Sequence, residues 1–203
     1  MIKKICALFT AVALMAGGCL LAGCSADSPS EATVAYLTKL KSEGVNELLK
    51  LDQNKEVGSL FGDDGSLTED QQKIMGDLLA KMVDFDYEVK NETIDGDSAQ
   101  VEVAFKNYEI GKALSSSLTD YLSKAFTLAL GGTTDEAALT QLFYDTLDEK
   151  LDALTEKTHE STVTLSLTKT DSGWEVNSLG NDQYDAMLGG LFSAINSLES
   201  FGS

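Results

Sequence analysis

The thiols and imidazoles of this 203-residue chain, the groups most used in nucleophilic and metal chemistry, are few: three cysteines (Cys6, Cys19 and Cys24) and a single histidine, His159. Nucleophilic hydrolysis calls for a Gly-x-Ser-x-Gly elbow or a Cys/His couple, and neither occurs. His159 is followed by Glu160, but Val163 stands where the His-Glu-x-x-His zinc pattern needs its second histidine. His159 therefore reads as an ordinary residue at a helix end or strand start. Asn91, Thr93, Asp95, Gly96 and Glu102 fall on positions 1, 3, 5, 6 and 12 of the EF-hand calcium template. That loop requires a helix on each side, whereas its flanks here alternate with period two, so the segment is expected to be a hairpin turn. At most a weak cation site at Asp95/Asp97 or Asp63/Asp64 would remain. Gly131-Gly132 reads as a helix stop and not as a phosphate cradle. No catalytic set, metal site or cofactor is expected.

The charge excludes further classes. Acids number 33 and bases 15, for a net charge of -18, and every base is a lysine. Such a chain repels nucleic acid, whose binding depends on basic side chains neutralising phosphates. Without arginine, bidentate guanidinium recognition of phosphate or carboxylate is also excluded.

The start of the chain carries an address. Lys3 and Lys4 precede a stretch, Ile5 to Gly23, that is free of charge and mostly apolar; it closes on Leu21-Ala22-Gly23-Cys24. A basic start, an apolar run and small residues before a cut site form a secretory signal. The closing tetrapeptide resembles the lipobox of bacterial lipoproteins. The resemblance implies that a peptidase recognises Leu21, Ala22 and Gly23 and cleaves before Cys24, whose sulfur carries diacylglycerol (palmitate is a representative acyl chain). Cys19 is the weaker candidate, because Ala16 replaces the expected leucine three places earlier. Residues 1–23 are then the signal, 24–30 a short tether with the lipidated cysteine, and 31–203 one domain. Cys6 and Cys19 leave with the signal, so no disulfide can form. Loss of Lys3 and Lys4 deepens the side-chain charge from -18 to -20. The expected location is the cell membrane, lipid-anchored on its extracytoplasmic face, with the membrane as partner through Cys24.

The remainder reads as one α+β domain. Ser28-Pro29-Ser30-Glu31 starts a helix with Val34, Leu37 and Leu40 inward, broken at Gly44. A short helix with Val45, Leu48 and Leu49 follows, then a loop from Gly58 to Gly65. Thr68-Glu69-Asp70-Gln71 caps a helix that carries Ile74, Leu78 and Met82, with Met75, Leu79 and Val83 beside them. Phe85, Tyr87 and Val89 alternate, as do Val101, Val103 and Phe105, giving a hairpin around Asp95-Gly96. A helix from about Gly111 to Leu130 bears Leu114, Leu118, Tyr121, Leu122, Ala125 and Phe126. A second, capped within Thr133 to Glu136, bears Leu139, Leu142, Phe143, Leu147, Leu151 and Leu154. A second hairpin has Val163, Leu165 and Leu167, a turn at Asp171-Ser172-Gly173, then Trp174 as a buried anchor and Val176. A last helix spans about Asp182 to Leu198 with Tyr184, Leu188, Leu191, Ile195 and Leu198. The two hairpins would form a four-stranded antiparallel sheet with helices over its apolar face.

Three features carry a further resemblance: the break at Lys41-Ser42-Glu43-Gly44, the hairpin Ile94 to Val101, and the pair Val163-Thr164-Leu165 with Gly173-Trp174-Glu175-Val176. Together they resemble acidic bacterial lipoproteins of the nuclear-transport-factor-2-like (cystatin-like) superfamily. The resemblance implies a cone-shaped curved sheet wrapped by helices, often around a pocket, and no particular reaction. The helix pair between the hairpins is longer than in the simplest members. Isomerases of that superfamily use a pocket acid and a tyrosine; Tyr87, Tyr108, Tyr121, Tyr144 and Tyr184 are available, but no spacing singles out a pair. The expected function is a non-catalytic binding or accessory module at the cell envelope, engaging a small apolar ligand or an envelope protein. The alternative is an isomerase- or dehydratase-like enzyme, which would hold a buried carboxylate facing a tyrosine.

Overall fold

A computed structural model describes residues 28–43, 67–132 and 135–202. The signal, Leu21 to Cys24, the break at Gly44, the short helix with Val45, Leu48 and Leu49, the 58–65 loop and Asp63/Asp64 lie outside the described residues. The first helix, α1 (Pro29–Glu43), begins as its capping residues require. The Glu31 amide donates to Ser28 Oγ at 3.2 Å, and the Ser28 amide donates to Glu31 Oε2 at 3.3 Å. Helix α2 (Glu69–Val83) carries the same reciprocal box between Thr68 and Gln71. Its Ile74, Met75, Leu78 and Met82 are buried, as their spacing requires. On α1 the buried stripe is Ala32, Leu37 and Leu40, while Val34 stays 38 % exposed, outside the expected face.

Four strands follow the alternation of the sequence: β1 (Asp86–Asp95), β2 (Ser98–Asn107), β3 (His159–Thr170) and β4 (Gly173–Val176). They form one antiparallel sheet in the order β1-β2-β3-β4. The register sets Tyr87 opposite Phe105, Val101 opposite Leu165, and Leu167 opposite Val176, so one face collects the apolar side chains. The opposite face shows exposed Glu88, Glu102, Thr162, Thr164, Ser166 and Thr168. A register shift between Val89 and Asn91 puts Glu92 opposite Val101, on the covered face. There Glu92 accepts from the Ser30 amide at 2.9 Å and from the Ser30 hydroxyl, placing a carboxylate at the positive end of α1. Trp174, Met75 and Met82 join the core, as expected.

Between the hairpins stand α3 (Ile110–Leu130) and α4 (Glu136–Asp152). Asp135 caps α4 by accepting from the Ala138 amide at 3.2 Å. Tyr121 meets Phe143 edge-on at 5.7 Å between ring centres, and Lys150 pairs with Asp120. Only Leu147 and Leu151 of the expected α4 face are fully buried; Leu139, Leu142 and Phe143 are half-buried.

The expected last helix is two: α5 (Asn181–Met187) and α6 (Leu191–Gly202). Gly189 and Gly190 break it, with φ of +63° and +79°. Gly189 accepts from the Gly111 amide at 2.9 Å, and a Cβ on Gly189 would stand 2.0 Å from the Tyr108 carbonyl oxygen. The break lets α6 turn back along α3. Buried Asn107 locks the junction, donating to the Met187 carbonyl and accepting from the Tyr108 amide at 2.7 Å.

Candidate functional site

The foot of the α3–α4 pair forms an open cleft of about 370 Å³, within the size range of small-molecule sites. One wall is the first two turns of α3, with Glu109, Lys112 and Ser116. The other is the end of α4 and the connection from it to β3, with Lys150, Leu154, Thr155, Glu156 and Thr158. Helical spacing explains the first wall: residues three and four apart share a face. The junction of Gly111 with Gly189 fixes the direction in which that face points.

Three of the four charged groups in this cleft, Glu109, Lys112 and Glu156, pair with nothing among the described residues. Among the described residues, Lys112 is the lysine that makes no hydrogen bond, ion pair or ring contact; the others all do. Glu109 sits half-buried at the N-cap position of α3 and makes no side-chain cap bond. Although Glu109 and Lys112 are three apart on one face, no ion pair joins them. Glu156 is likewise unpaired. The hydroxyls of Ser116, Thr155 and Thr158 make no bond to the protein, whereas Ser115, Thr119 and Thr127 of α3 return theirs to the carbonyl four residues earlier. Lys150 differs from Lys112. Its ammonium is held by Asp120, whose hydrogen bond raises the lysine pKa and lowers that of the acid.

Behind the cleft lies a spent charge cluster. Lys157 donates to Asp84 at 2.8 Å and to Asp86 at 3.0 Å. Lys81 donates to the Leu154 carbonyl at 2.8 Å, and its ammonium stands 4.7 Å from the centre of the Tyr108 ring. The Tyr108 hydroxyl donates to Asp84 at 3.3 Å. This acid–tyrosine pair is at the surface, with the Asp84 side chain 52 % exposed. The hydrogen bond from Lys157 holds the Asp84 carboxyl below its ordinary pKa, the wrong direction for a general acid or base near neutrality. Burial works against the Lys157 ammonium, but the bonds to Asp84 and Asp86 outweigh it and raise its pKa. The buried polar side chains among the described residues are Thr33, Gln71, Asn107, Ser117 and Thr146, with no carboxylate among them.

The residues singled out by sequence are scattered. Leu21, Ala22, Gly23 and Cys24 lie outside the described residues. His159 is half-buried at the start of β3, against Gly190. Asn91, Thr93, Asp95, Gly96 and Glu102 lie in or around the β1–β2 turn. Among the described residues no group of three or more His, Cys, Asp or Glu could hold a metal ion. Tyr87 packs by Phe85 at 6.2 Å between ring centres, and its hydroxyl lies 3.0 Å from that of Thr38. No motif marked Glu109, Lys112 or Ser116; their shared helical face was the available signal.

Fold and site together define an α+β domain with a polar surface cleft. No family model matches the chain, and no curated protein matches it. Among solved structures it is similar to a "putative lipoprotein (ycdA)" of Bacillus subtilis, with 16 % identity and a TM-score of 0.41. The match covers 84 % of this chain and 48 % of that protein, so the chain spans about half its length. Among the described residues no helix is long and apolar enough to cross a membrane.

Proposed function

We propose that the chain is a lipid-anchored extracytoplasmic lipoprotein acting as a non-catalytic binding or accessory module at the cell envelope. Leu21-Ala22-Gly23-Cys24, placed after a basic start and an apolar run, carries the reading. Two acyl chains on Cys24 hold a protein stably where one does not. Electrostatics cannot substitute for the anchor, because a body of charge -20 is repelled by anionic lipid. The four-stranded antiparallel sheet is the architecture that the resemblance to nuclear-transport-factor-2-like domains implies, and membership of that superfamily is part of the proposal. A binding role is favoured by a cleft lined with unpaired groups.

Labelling of growing cells with radioactive palmitate, followed by fractionation, tests the anchor. The native chain should take up label and sediment with membranes. Cys24→Ser should take up none and either appear in the soluble fraction or accumulate as precursor. Label and membrane retention unchanged in Cys24→Ser would overturn the anchor.

A further inference from the structure

We infer that the cleft at the foot of α3 and α4 binds a small zwitterion, an amino acid or short peptide carrying both a free ammonium and a free carboxylate. The inference rests on the reading of the protein as a binding module and supplies its ligand class.

Three observations lead there. The cleft holds charges of both signs that pair with nothing among the described residues: Lys112 and Glu109 on the α3 wall, and Glu156 on the facing wall. Lys112 is exposed and makes no ion pair although acids outnumber bases 33 to 15, so its ammonium is free to meet an oxyanion. Glu109 is half-buried and bonds to nothing, so a cationic partner would recover part of the solvation it has lost. Finally, three hydroxyls along the walls, Ser116, Thr155 and Thr158, keep their hydrogen-bonding capacity free, which suits a ligand with amide or further polar groups.

The field of the whole molecule narrows the class. A plain anion reaching Lys112 would have to approach a body of strongly negative charge. A plain cation would be drawn to that body but would meet Lys112 and Lys150 in the cleft. A zwitterion has no net charge to repel and can present each end to its opposite. Its carboxylate would face Lys112 and the Ser116 hydroxyl, one turn apart on α3, and its ammonium would face Glu109 and Glu156.

Calorimetric titration of the full chain in detergent with alanylalanine tests this, alongside its N-acetyl and C-terminal amide derivatives and phosphoethanolamine. Unmodified dipeptide should bind in the micromolar to low-millimolar range, and blocking either end should weaken it by roughly fivefold or more. Lys112→Gln should weaken the dipeptide comparably while erasing its advantage over the amide. Glu109→Gln should erase its advantage over the acetylated form. These paired losses separate direct contact from damage to the fold, which would lower all ligands together. Phosphoethanolamine binding with the same dependence on Lys112 and Glu109, in place of the dipeptide, would assign the oxyanion to a phosphate headgroup and overturn the peptide. No heat from any probe at about 10 mM, or dipeptide binding undiminished in both variants, would overturn the site. Either failure beside intact palmitate labelling at Cys24 would leave the anchored-module reading standing, so the two can fail separately.

Discussion

At its first turn α3 lies so close to the α5–α6 link that Gly111 donates to Gly189, and a Cβ on Gly111 would meet the Gly190 carbonyl oxygen at 2.0 Å. Ile110 and Ala113 beside it are buried. Further along the same helix, Leu122, Phe126 and Leu130 form a row four residues apart that is 57 %, 67 % and 75 % exposed. One helix thus has a foot packed backbone to backbone and a far half held chiefly through Tyr121, Asp120 and Lys124 against α4. The cleft lies beside this glycine junction. Binding groups benefit from rigid support, and Glu109 and Lys112 flank the very residue that the glycine junction pins.

The largest test of this contrast is Gly189→Ala or Gly111→Ala. Each places a methyl against a carbonyl oxygen, and Gly189 also has a positive φ. Chemical denaturation should show losses of about 2–3 kcal/mol. Gly76→Ala in α2 is the control, since a Cβ there meets nothing within 4 Å and removes a helix-interior glycine. It should be neutral or stabilise by up to about 1 kcal/mol. Equal behaviour of all three would abolish the distinction between the foot and an ordinary helix surface.

A smaller effect comes from Lys157, which ties the end of the α4–β3 connection to Asp84 and Asp86 behind the cleft. Lys157→Met should raise the Asp84 carboxyl pKa from its lowered value, followed by NMR titration. The native pair's contribution through Asp84 is complete above the unfolded carboxyl pKa and is lost as pH falls through the lowered folded value. The contribution through Lys157 is complete below the unfolded lysine pKa and is lost as pH rises through the raised folded value. Both carboxylates are more than half exposed, so solvent screening keeps the cost near neutral pH to about 1 kcal/mol or less. An unmoved Asp84 titration would show that the pair does not hold the connection.

The same contrast explains which parts were legible. Alternation at Val101, Val103 and Phe105 and the box at Thr68–Gln71 are local patterns, and local rules produced the sheet and α2. The break at Gly189-Gly190 was masked because Tyr184, Leu188, Leu191 and Ile195 keep helical spacing across it. The positive φ of Gly189 and Gly190 makes the break, and the packing of that link against Tyr108 and Gly111, distant in sequence, holds it. Leu122 and Phe126 belong to the apolar stripe of their helix by spacing, but composition marks an apolar residue without saying whether a neighbour covers it, and both are exposed. The cleft was invisible for a related reason. Glu109 and Lys112 look like an ordinary helix-surface pair until the end of α4 is seen facing them.

The smallest effect belongs to the far half of α3. Phe126→Ser removes a ring already two-thirds exposed, so folding brings it little protection from water to lose. Serine and phenylalanine have similar helix propensities, which leaves the backbone term nearly unchanged. The denaturation midpoint should therefore correspond to a change within about 0.5 kcal/mol. Solubility should improve, since the row of Leu122, Phe126 and Leu130 loses its centre. A loss above about 2 kcal/mol, or a midpoint that rises with protein concentration in the native chain alone, would show that this row is buried against something. The far half would then be as much a packed interface as the foot, and the contrast would fail where it is sharpest.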